Sequence, residues 1–240
     1  MPRFPVDEKN IDGAKATLTG SDYRHIVKVL RMKEGDPITL FDGRALEYEG
    51  RISLVGSREI LVDIVSSRKV ETDSPLRITL LQGLPKGEKM DFIVEKATEI
   101  GVHTIVPVVT ERSQFRTADK RNRWERIALE ASKQCGRTIP PVIENTLNYD
   151  EAIKCSKQYE LAITLHVGSQ VSLKDFLNNP LQHPKNIIVL IGPEGGFSEN
   201  EVLLACEMGF TSLGLGPRTL RTETAGLAFL SIIQFHHGDL

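Results

Sequence analysis

Several familiar signals are missing from this chain of 240 residues. No apolar run is long enough to span a bilayer, and the opening "MPRFPVDEKN" lacks the apolar stretch of a signal peptide, so a cytoplasmic protein with no membrane partner is expected. There are only three cysteines, Cys135, Cys155 and Cys206, far apart, and the six histidines show no ligand spacing. That argues against a disulfide scaffold and against a metal site; the thiols are expected to be free and buried. The "HH" at 236–237 reads as a helix end. Charge bias is also lacking: the net charge is −2, so any contact with nucleic acid must come from local patches. Neither G-x-G-x-x-G nor G-x-x-x-x-G-K-[ST] occurs. The absence of the first, with its acidic residue downstream, weighs against a dinucleotide-dependent oxidoreductase.

What is present divides into two textures. The first ~65 residues hold short runs with Gly, Asp or Pro between them, "ATLT", "PITLFD", "ALEYEGRISLV" and "EILVDIV", which read as strands of a small barrel. Leu46, Tyr48, Ile52 and Leu54 alternate with polar residues there. One helix interrupts them, "SDYRHIVKVLRMKEGD", with Ser21 as its expected N-cap. Residues 66–75, "SSRKVETDSP", are polar and end in proline, as linkers do. From Leu76 strands and helices alternate. "RITLLQG", "TIVPVV", "ELAITLH", "NIIVLIG" and "SLGLG" read as strands. "GEKMDFIVEKATEIGV" and "DKRNRWERIALEASKQCG" read as helices stopped by Gly101 and Gly136. This alternation predicts a parallel sheet covered by helices, hence an α/β domain at 75–240 after a β-rich domain at 1–70.

Two loops should lie at the carboxyl ends of strands, where open parallel sheets bind ligands. The first is "LIGPEGGFSENE" (190–201), in which Ser198 and Glu201 form a capping box just after the glycines. A pyrophosphate there would face Glu194 with no neutralising lysine in the loop. A phosphate-free nucleoside carrying positive charge fits better, and S-adenosylmethionine answers that description. The second is "LGLGPRTLRTETAGLAFLSIIQF" (213–235), where a strand is expected to end at Leu215 and Thr222 to cap a helix apolar almost all round. Arg218 and Arg221 stand beside that entry. An unpaired buried arginine is costly, so they need a local Glu223 or Glu194, or a substrate phosphate.

Taken together, "IGPEGGFS" with "LGPRTLRTETA" resembles the SPOUT superfamily of trefoil-knotted methyltransferases. More narrowly it resembles the bacterial family that methylates uridine N3 in 16S ribosomal RNA. "HIVKVLRMKEGD" resembles that family's PUA-like barrel segment. "KGEKMDFIVEKATEIGV", "ERS" and "RWERIALEASKQCGR" resemble its middle segments. Thr219 departs from the pattern, where a larger aliphatic residue is expected to pack under the loop.

The resemblance implies a trefoil-knotted α/β methyltransferase domain behind a PUA-like barrel. It implies a homodimer, 16S ribosomal RNA or the small ribosomal subunit as partner, and no metal. It further implies S-adenosylmethionine held in bent form by the knot loops, with Leu165, His166, Gly192, Pro193, Glu194, Gly195, Gly196, Leu215, Gly216, Leu220, Thr224 and Ala225 as candidate cofactor residues.

RNA-facing candidates are Arg24, Lys28 and Arg31, one helical stripe at i, i+4 and i+7 with His25 beside it. Ile26, Val27 and Leu30 would pack on the barrel. A second basic cluster runs through Arg112, Arg116, Lys120, Arg121, Arg123 and Arg126, with Phe115 placed to stack on a base. Lys86 and Lys89 follow the first strand of the parallel sheet and should lie near its ligand-binding edge. Methylation at N3 needs the N3 proton to leave and the uracil anion to be stabilised. Arg137 and Arg221 are candidates for the cation, and Glu223 for a base or an orienting group. The alternatives are another SPOUT activity, such as ribose 2′-O methylation, and a non-catalytic RNA-binding assembly factor.

Overall fold

The computed structural model describes residues 1–70, 72–113, 120–178 and 183–240. The chain divides into two compact units, Met1–Asp73 with Ser132–Pro140, and Ser74–Ala131 with Pro141–Leu240.

The first unit is built on a six-stranded sheet: β1 (Arg3–Pro5), β2 (Ile11–Asp12), β3 (Lys15–Thr19), β4 (Pro37–Phe41), β5 (Leu46–Val55) and β6 (Glu59–Lys69), in spatial order β1-β4-β5-β6-β3-β2. Among the described residues, only the β1–β4 ladder of this sheet is parallel. No ladder joins β1 to β2 among the described residues, so the barrel is open at that seam. Phe4, Leu18, Ile26, Ile38, Leu40, Ile52, Ile60 and Val62 fill its core. Strand β6 runs through Lys69, beyond the expected start of the linker. Its charged end is held by its neighbour: Arg68 donates to Glu47 Oε2 from Nε and Nη2 (3.0 and 2.7 Å), and Arg3 meets the other oxygen at 3.0 Å. The expected alternation fails at Leu54, which is 45% exposed while Ile52 is buried. A register shift between those two residues turns the side chains over.

The interrupting helix also departs from expectation. Helix α1 (Gly20–Arg24) is capped at Thr19, not Ser21, and without a side-chain bond. His25–Leu30 then winds as a π-helix and stops at Arg31, whose φ is 55°. The wider winding breaks the α-helical stripe of Arg24, Lys28 and Arg31, though all three are exposed. It also turns Leu30 outward, 40% exposed, where packing on the barrel was expected. Ile26 is buried as read.

In the second unit β7 (Arg77–Gly83), β8 (Thr104–Val109), β9 (Val142–Ile143), β10 (Leu147–Asn148), β11 (Leu161–Leu165), β12 (Asn186–Ile191) and β13 (Thr211–Leu213) form one parallel sheet. Its order is β10-β8-β7-β12-β11-β13, with β9 also on β8. The helices are α2 (Lys89–Glu99), α3 (Arg121–Cys135), α4 (Tyr149–Lys154), α5 (Leu173–Asn178), α6 (Glu199–Glu207) and α7 (Thr222–His237); the last residues of α3 belong to the first unit. By spacing, Trp124, Ile127, Ala128 and Ala131 share one face of α3, and Met90, Ile93, Ala97 and Ile100 one face of α2; all are buried except Ile127 and Ile100, which are half-buried against the same core. On α7, Phe229, Leu230 and Ile233 are fully buried, each contributing roughly 1.5–3 kcal/mol relative to exposure. Strand β13 stops at Leu213, two residues short of the expected Leu215; Gly214 pairs only as a bridge with Ser172, and Gly216 turns the chain at φ 103°. The cysteines are free, but Cys135 and Cys206 are exposed rather than buried. No helix among the described residues is long and apolar enough to cross a membrane, and no group of three or more His, Cys, Asp or Glu among them could hold a metal.

Candidate active site

Spatial order explains why the two loops meet. Strand β12 lies between β7 and β11, and β13 lies on the far side of β11. The carboxyl ends of these four neighbouring strands therefore present the segments after Gly83, Leu165, Ile191 and Leu213 side by side. Between them is a cavity of about 500 Å³, within the range of small-molecule sites.

Its walls carry eleven of the twelve candidate cofactor residues: Leu165, His166, Gly192, Pro193, Glu194, Gly195, Gly196, Leu215, Gly216, Leu220 and Ala225. Thr224 is exposed on the first turn of α7 and is not among the lining residues. Ile191, Phe197, Leu213 and Val167 also line it, unread in the sequence because none carries chemistry of its own, and so does Thr219. Thr219 is exposed there; it does not pack beneath the loop, and its short polar side chain faces the cavity.

The turn at 192–197 is held from three directions. Ser198 and Glu201 form the expected capping box at the start of α6. The second carboxylate oxygen of Glu201, itself 5% exposed, accepts the Glu111 N–H at 2.8 Å. The adjacent Arg112 then donates from Nη1 to the Gly195 carbonyl at 2.7 Å. From β7, Gly83 comes so close that a Cβ there would stand 2.7 Å from Pro193 Cδ. From α7, the Thr222 hydroxyl donates to the Gly192 carbonyl at 2.5 Å and accepts from Gln82 Nε2 at 3.1 Å. Thr222 is thus not the N-cap that its type predicts. Arg221 occupies that position with no side-chain bond, because the Thr222 hydroxyl is engaged across the loop.

Electrostatics alter the reading of Glu194. A lysine does neutralise it, from outside the loop: Lys89 Nζ lies 2.8 Å from Glu194 Oε1 and 3.5 Å from Glu223 Oε2. The Lys86 N–H donates to both Glu194 oxygens, at 3.1 and 3.2 Å. Burial works to raise the Glu194 carboxyl, but the bonds from Lys89 and from backbone N–H groups outweigh it and hold it below its ordinary value. The same bond to Glu194 holds the Lys89 ammonium above its ordinary value. With both carboxylates on Lys89, the local Arg–Glu pair that sequence favours does not form. Arg218 and Arg221 line the cavity, exposed, without a side-chain ion pair among the described residues.

The remaining candidates divide between the cavity and other places. Lys86 is exposed, and Lys89 and Arg112 line the cavity. Arg123 is bound to Asp91 of α2 and Arg121 to Glu125, so these two members of the basic cluster are matched by carboxylates. Arg116 and Phe115 fall outside the described residues. In the first unit, the His25 ring meets Phe4 edge-on at 5.7 Å. Arg137 belongs to that unit, 5% exposed, with Nε and Nη2 both on Asp73 Oδ1 (2.8 and 2.7 Å).

The glycines test the fit of an adenosine ligand. Gly196 has φ 66° with open space where a Cβ would go, and a Cβ at Gly195 would press within 3.2 Å of Arg112. A backbone this bare lets a planar ring approach closely, and apolar Leu165, Leu215, Leu220 and Phe197 supply its faces.

Comparison with known proteins agrees with this geometry. An RNA methyltransferase domain model matches residues 72–234, and an RNA methyltransferase PUA domain model matches 18–65. Ribosomal RNA small subunit methyltransferase E of Bacillus subtilis is 30% identical over 228 residues (91% of this chain, 89% of that protein). Its counterpart in Buchnera aphidicola from Schizaphis graminum is 34% identical (93% and 92%). Among solved structures, a Legionella pneumophila methyltransferase with bound S-adenosylmethionine superposes with TM-score 0.91 at 35% identity (100% and 99% covered). Ribosomal RNA small subunit methyltransferase E of Neisseria gonorrhoeae, also bound to S-adenosylmethionine, gives 0.90 at 34% (100% and 99%). With the parallel sheet, the glycine-lined cavity and these likenesses over nearly its whole length, the chain belongs to the RNA methyltransferase family that includes ribosomal RNA small subunit methyltransferase E.

Proposed function

We propose that this protein transfers a methyl group from S-adenosylmethionine to N3 of a uridine in 16S ribosomal RNA of the small ribosomal subunit. The observation that carries the reading is a bare glycine turn beside two arginines that have no carboxylate partner among the described residues, because Lys89 engages Glu194 and Glu223.

When bound, S-adenosylmethionine supplies an electrophilic methyl group on a positively charged sulfur. The residues of the chain do the rest. Gly192, Gly195 and Gly196 admit the adenosine, and the apolar walls exclude water from it. Arg221, permanently charged, faces the cavity where negative charge develops on the uracil as N3 loses its proton, and electrostatic stabilisation of this kind is a large term in catalysis. Glu223, on the first turn of α7, is the candidate to accept that proton or to orient the arginine. Arg137, already matched by Asp73, leaves the stabilising role to Arg221. The domain at 1–70 acts as the PUA-like RNA anchor through Arg24, His25, Lys28 and Arg31. Lys86, Arg112 and Arg116 extend the RNA contact on the catalytic domain, 75–240, whose loops carry the trefoil knot of the SPOUT fold.

We further infer a homodimer acting in the cytoplasm. The support for a second copy is on α7, where Phe235 is 75% exposed and Ile232 39%, one turn apart beside the fully buried Phe229, Leu230 and Ile233. The deciding experiment combines purified protein, S-adenosylmethionine and small subunits or their RNA, with the product nucleotide mapped by mass spectrometry. A 3-methyluridine is expected. A 2′-O-methyl nucleotide, or no transfer at all, would overturn the reading.

A further inference from the structure

Lys89 joins three elements of the second unit. It stands at the start of α2, and its ammonium reaches Glu194 in the turn after β12 and Glu223 in the first turn of α7. The main chain helps: the Lys86 N–H donates to the same Glu194 carboxylate. Glu223 Oε2 is shut off from solvent and makes no hydrogen bond, so the Lys89 charge 3.5 Å away is what compensates it. A carboxylate oxygen cut off from water is costly without such a counter-charge.

The arrangement has an electrostatic consequence. Glu194 lines the same cavity as Arg218 and Arg221. A guanidinium is the better partner for a carboxylate, since it binds in bidentate fashion. Yet the arginines keep no carboxylate among the described residues, and Lys89 has two. An ammonium shared between two carboxylates offers little net charge to a phosphate. Its compact head, unlike a planar guanidinium, fits between two acceptors from different directions.

We propose that Lys89 is a positioning residue, not an RNA contact: it fixes Glu194 and Glu223 to the start of α2 and so keeps Arg218 and Arg221 uncompensated toward the substrate. This rests on the methyl-transfer reading above. Without the Lys89 charge, Glu194 and Glu223 turn to the arginines and cancel the charge that the uracil anion needs.

The test is methyl transfer from S-adenosylmethionine to small-subunit RNA by the full chain as wild type, Lys89→Met, Lys89→Gln and Lys89→Arg, with RNA affinity measured against salt. Folding is checked by thermal melting; Lys89 is one-third exposed, and two neutral replacements guard against a poor fold in either. For both neutral variants, turnover at saturating RNA should fall about tenfold or more, the scale of losing preorganised charge. The KM for RNA and the salt slope should stay at wild-type values. Lys89→Arg should keep turnover within about threefold, since the charge remains while the fit is poorer. A neutral variant with full turnover but a higher KM and a salt slope reduced by up to ~0.9 would make Lys89 a phosphate contact and overturn the proposal. Unchanged turnover and unchanged affinity would also overturn it. Failure of the wild type to transfer methyl would strike the underlying function instead, and is read separately.

Discussion

The Thr222 hydroxyl donates to the Gly192 carbonyl, tying the first turn of α7 to the glycine turn after β12. Thr222 is 6% exposed, and it also accepts from the fully buried Gln82. Thr222→Val keeps the shape and removes the hydroxyl, which takes the Thr222 donor from the Gly192 carbonyl and leaves the Gln82 amide only its bond to the Gly83 carbonyl. The expected cost is about 1–3 kcal/mol of stability, the penalty for unsatisfied buried polar groups. S-adenosylmethionine affinity should fall too, because Gly192 lines the cavity. Urea denaturation and titration calorimetry on the same preparation read the two effects. A valine variant with wild-type stability would remove the tether from the account.

Glycine geometry gives a second test. Gly196 sits at φ 66°, and nothing would obstruct a Cβ there, so any penalty comes from the backbone alone. Gly196→Val should lose about 1–2 kcal/mol by forcing a β-branched residue into the left-handed region. Gly196→Asn, a residue that tolerates that region, should lose less. Both should weaken cofactor binding if the open face of the turn is where adenosine lies. Unchanged calorimetric affinity in a folded valine variant would refute that placement.

At the end of α7, His237 has both ring nitrogens buried without a hydrogen-bond partner, with His236 and His183 rings 5.0 and 5.8 Å away. Burial, then the charges of those two neighbours, holds its imidazole below the ordinary 6.5. The unfolded chain therefore takes up the proton first as pH falls. The stability contribution is complete above about pH 6.5 and is lost progressively below it. The wild-type melting temperature should drop more steeply between about pH 7 and about pH 5 than that of His237→Gln. Parallel curves would show that His237 does not titrate differently on folding.

Much of the second unit was legible because its signals are local. Period, glycine stops and the Ser198–Glu201 box lie within single elements, and eleven of the cavity-lining residues come from two glycine-rich loops and a strand end. What was not legible depends on strand order. The counter-ion of Glu194 is Lys89, far upstream, and becomes a neighbour only because β12 is inserted beside β7. The same insertion takes the Thr222 hydroxyl from its helix cap to Gly192. In the first unit, the shift between Ile52 and Leu54 and the π-helical turn at His25–Leu30 each change which face a residue presents, and no periodicity announces either.

The exposed end of α7 bears on assembly. Phe235 and Ile232 lie one turn apart, two exposed apolar side chains that a second copy of the chain would cover, on a helix anchored by the buried Phe229, Leu230 and Ile233. Sedimentation at micromolar concentration should show a dimer for the wild type. Phe235→Glu should shift it toward monomer while the fold is kept, since the ring is already outside the core. A wild-type monomer would refute the dimer.

The last prediction separates anchoring from chemistry. Arg24, Lys28 and Arg31 are exposed around the π-helical turn of the first unit, while Arg221 lines the cavity of the second. Phosphate contacts fix position and carry the salt dependence of binding. Changing the first three to alanine should therefore weaken RNA binding and lower the salt slope, by up to ~0.9 per lost contact on duplex-like RNA and less on single strands. S-adenosylmethionine affinity should be untouched. Arg221→Ala should instead slow the reaction when RNA is saturating, because it removes charge needed as the uracil anion forms. Single-turnover methylation with saturating RNA compares them directly. The triple variant should recover the wild-type rate there, and Arg221→Ala should not. If the triple variant stays slow while Arg221→Ala runs at full rate, the π-helical turn takes part in catalysis and Arg221 serves only to bind.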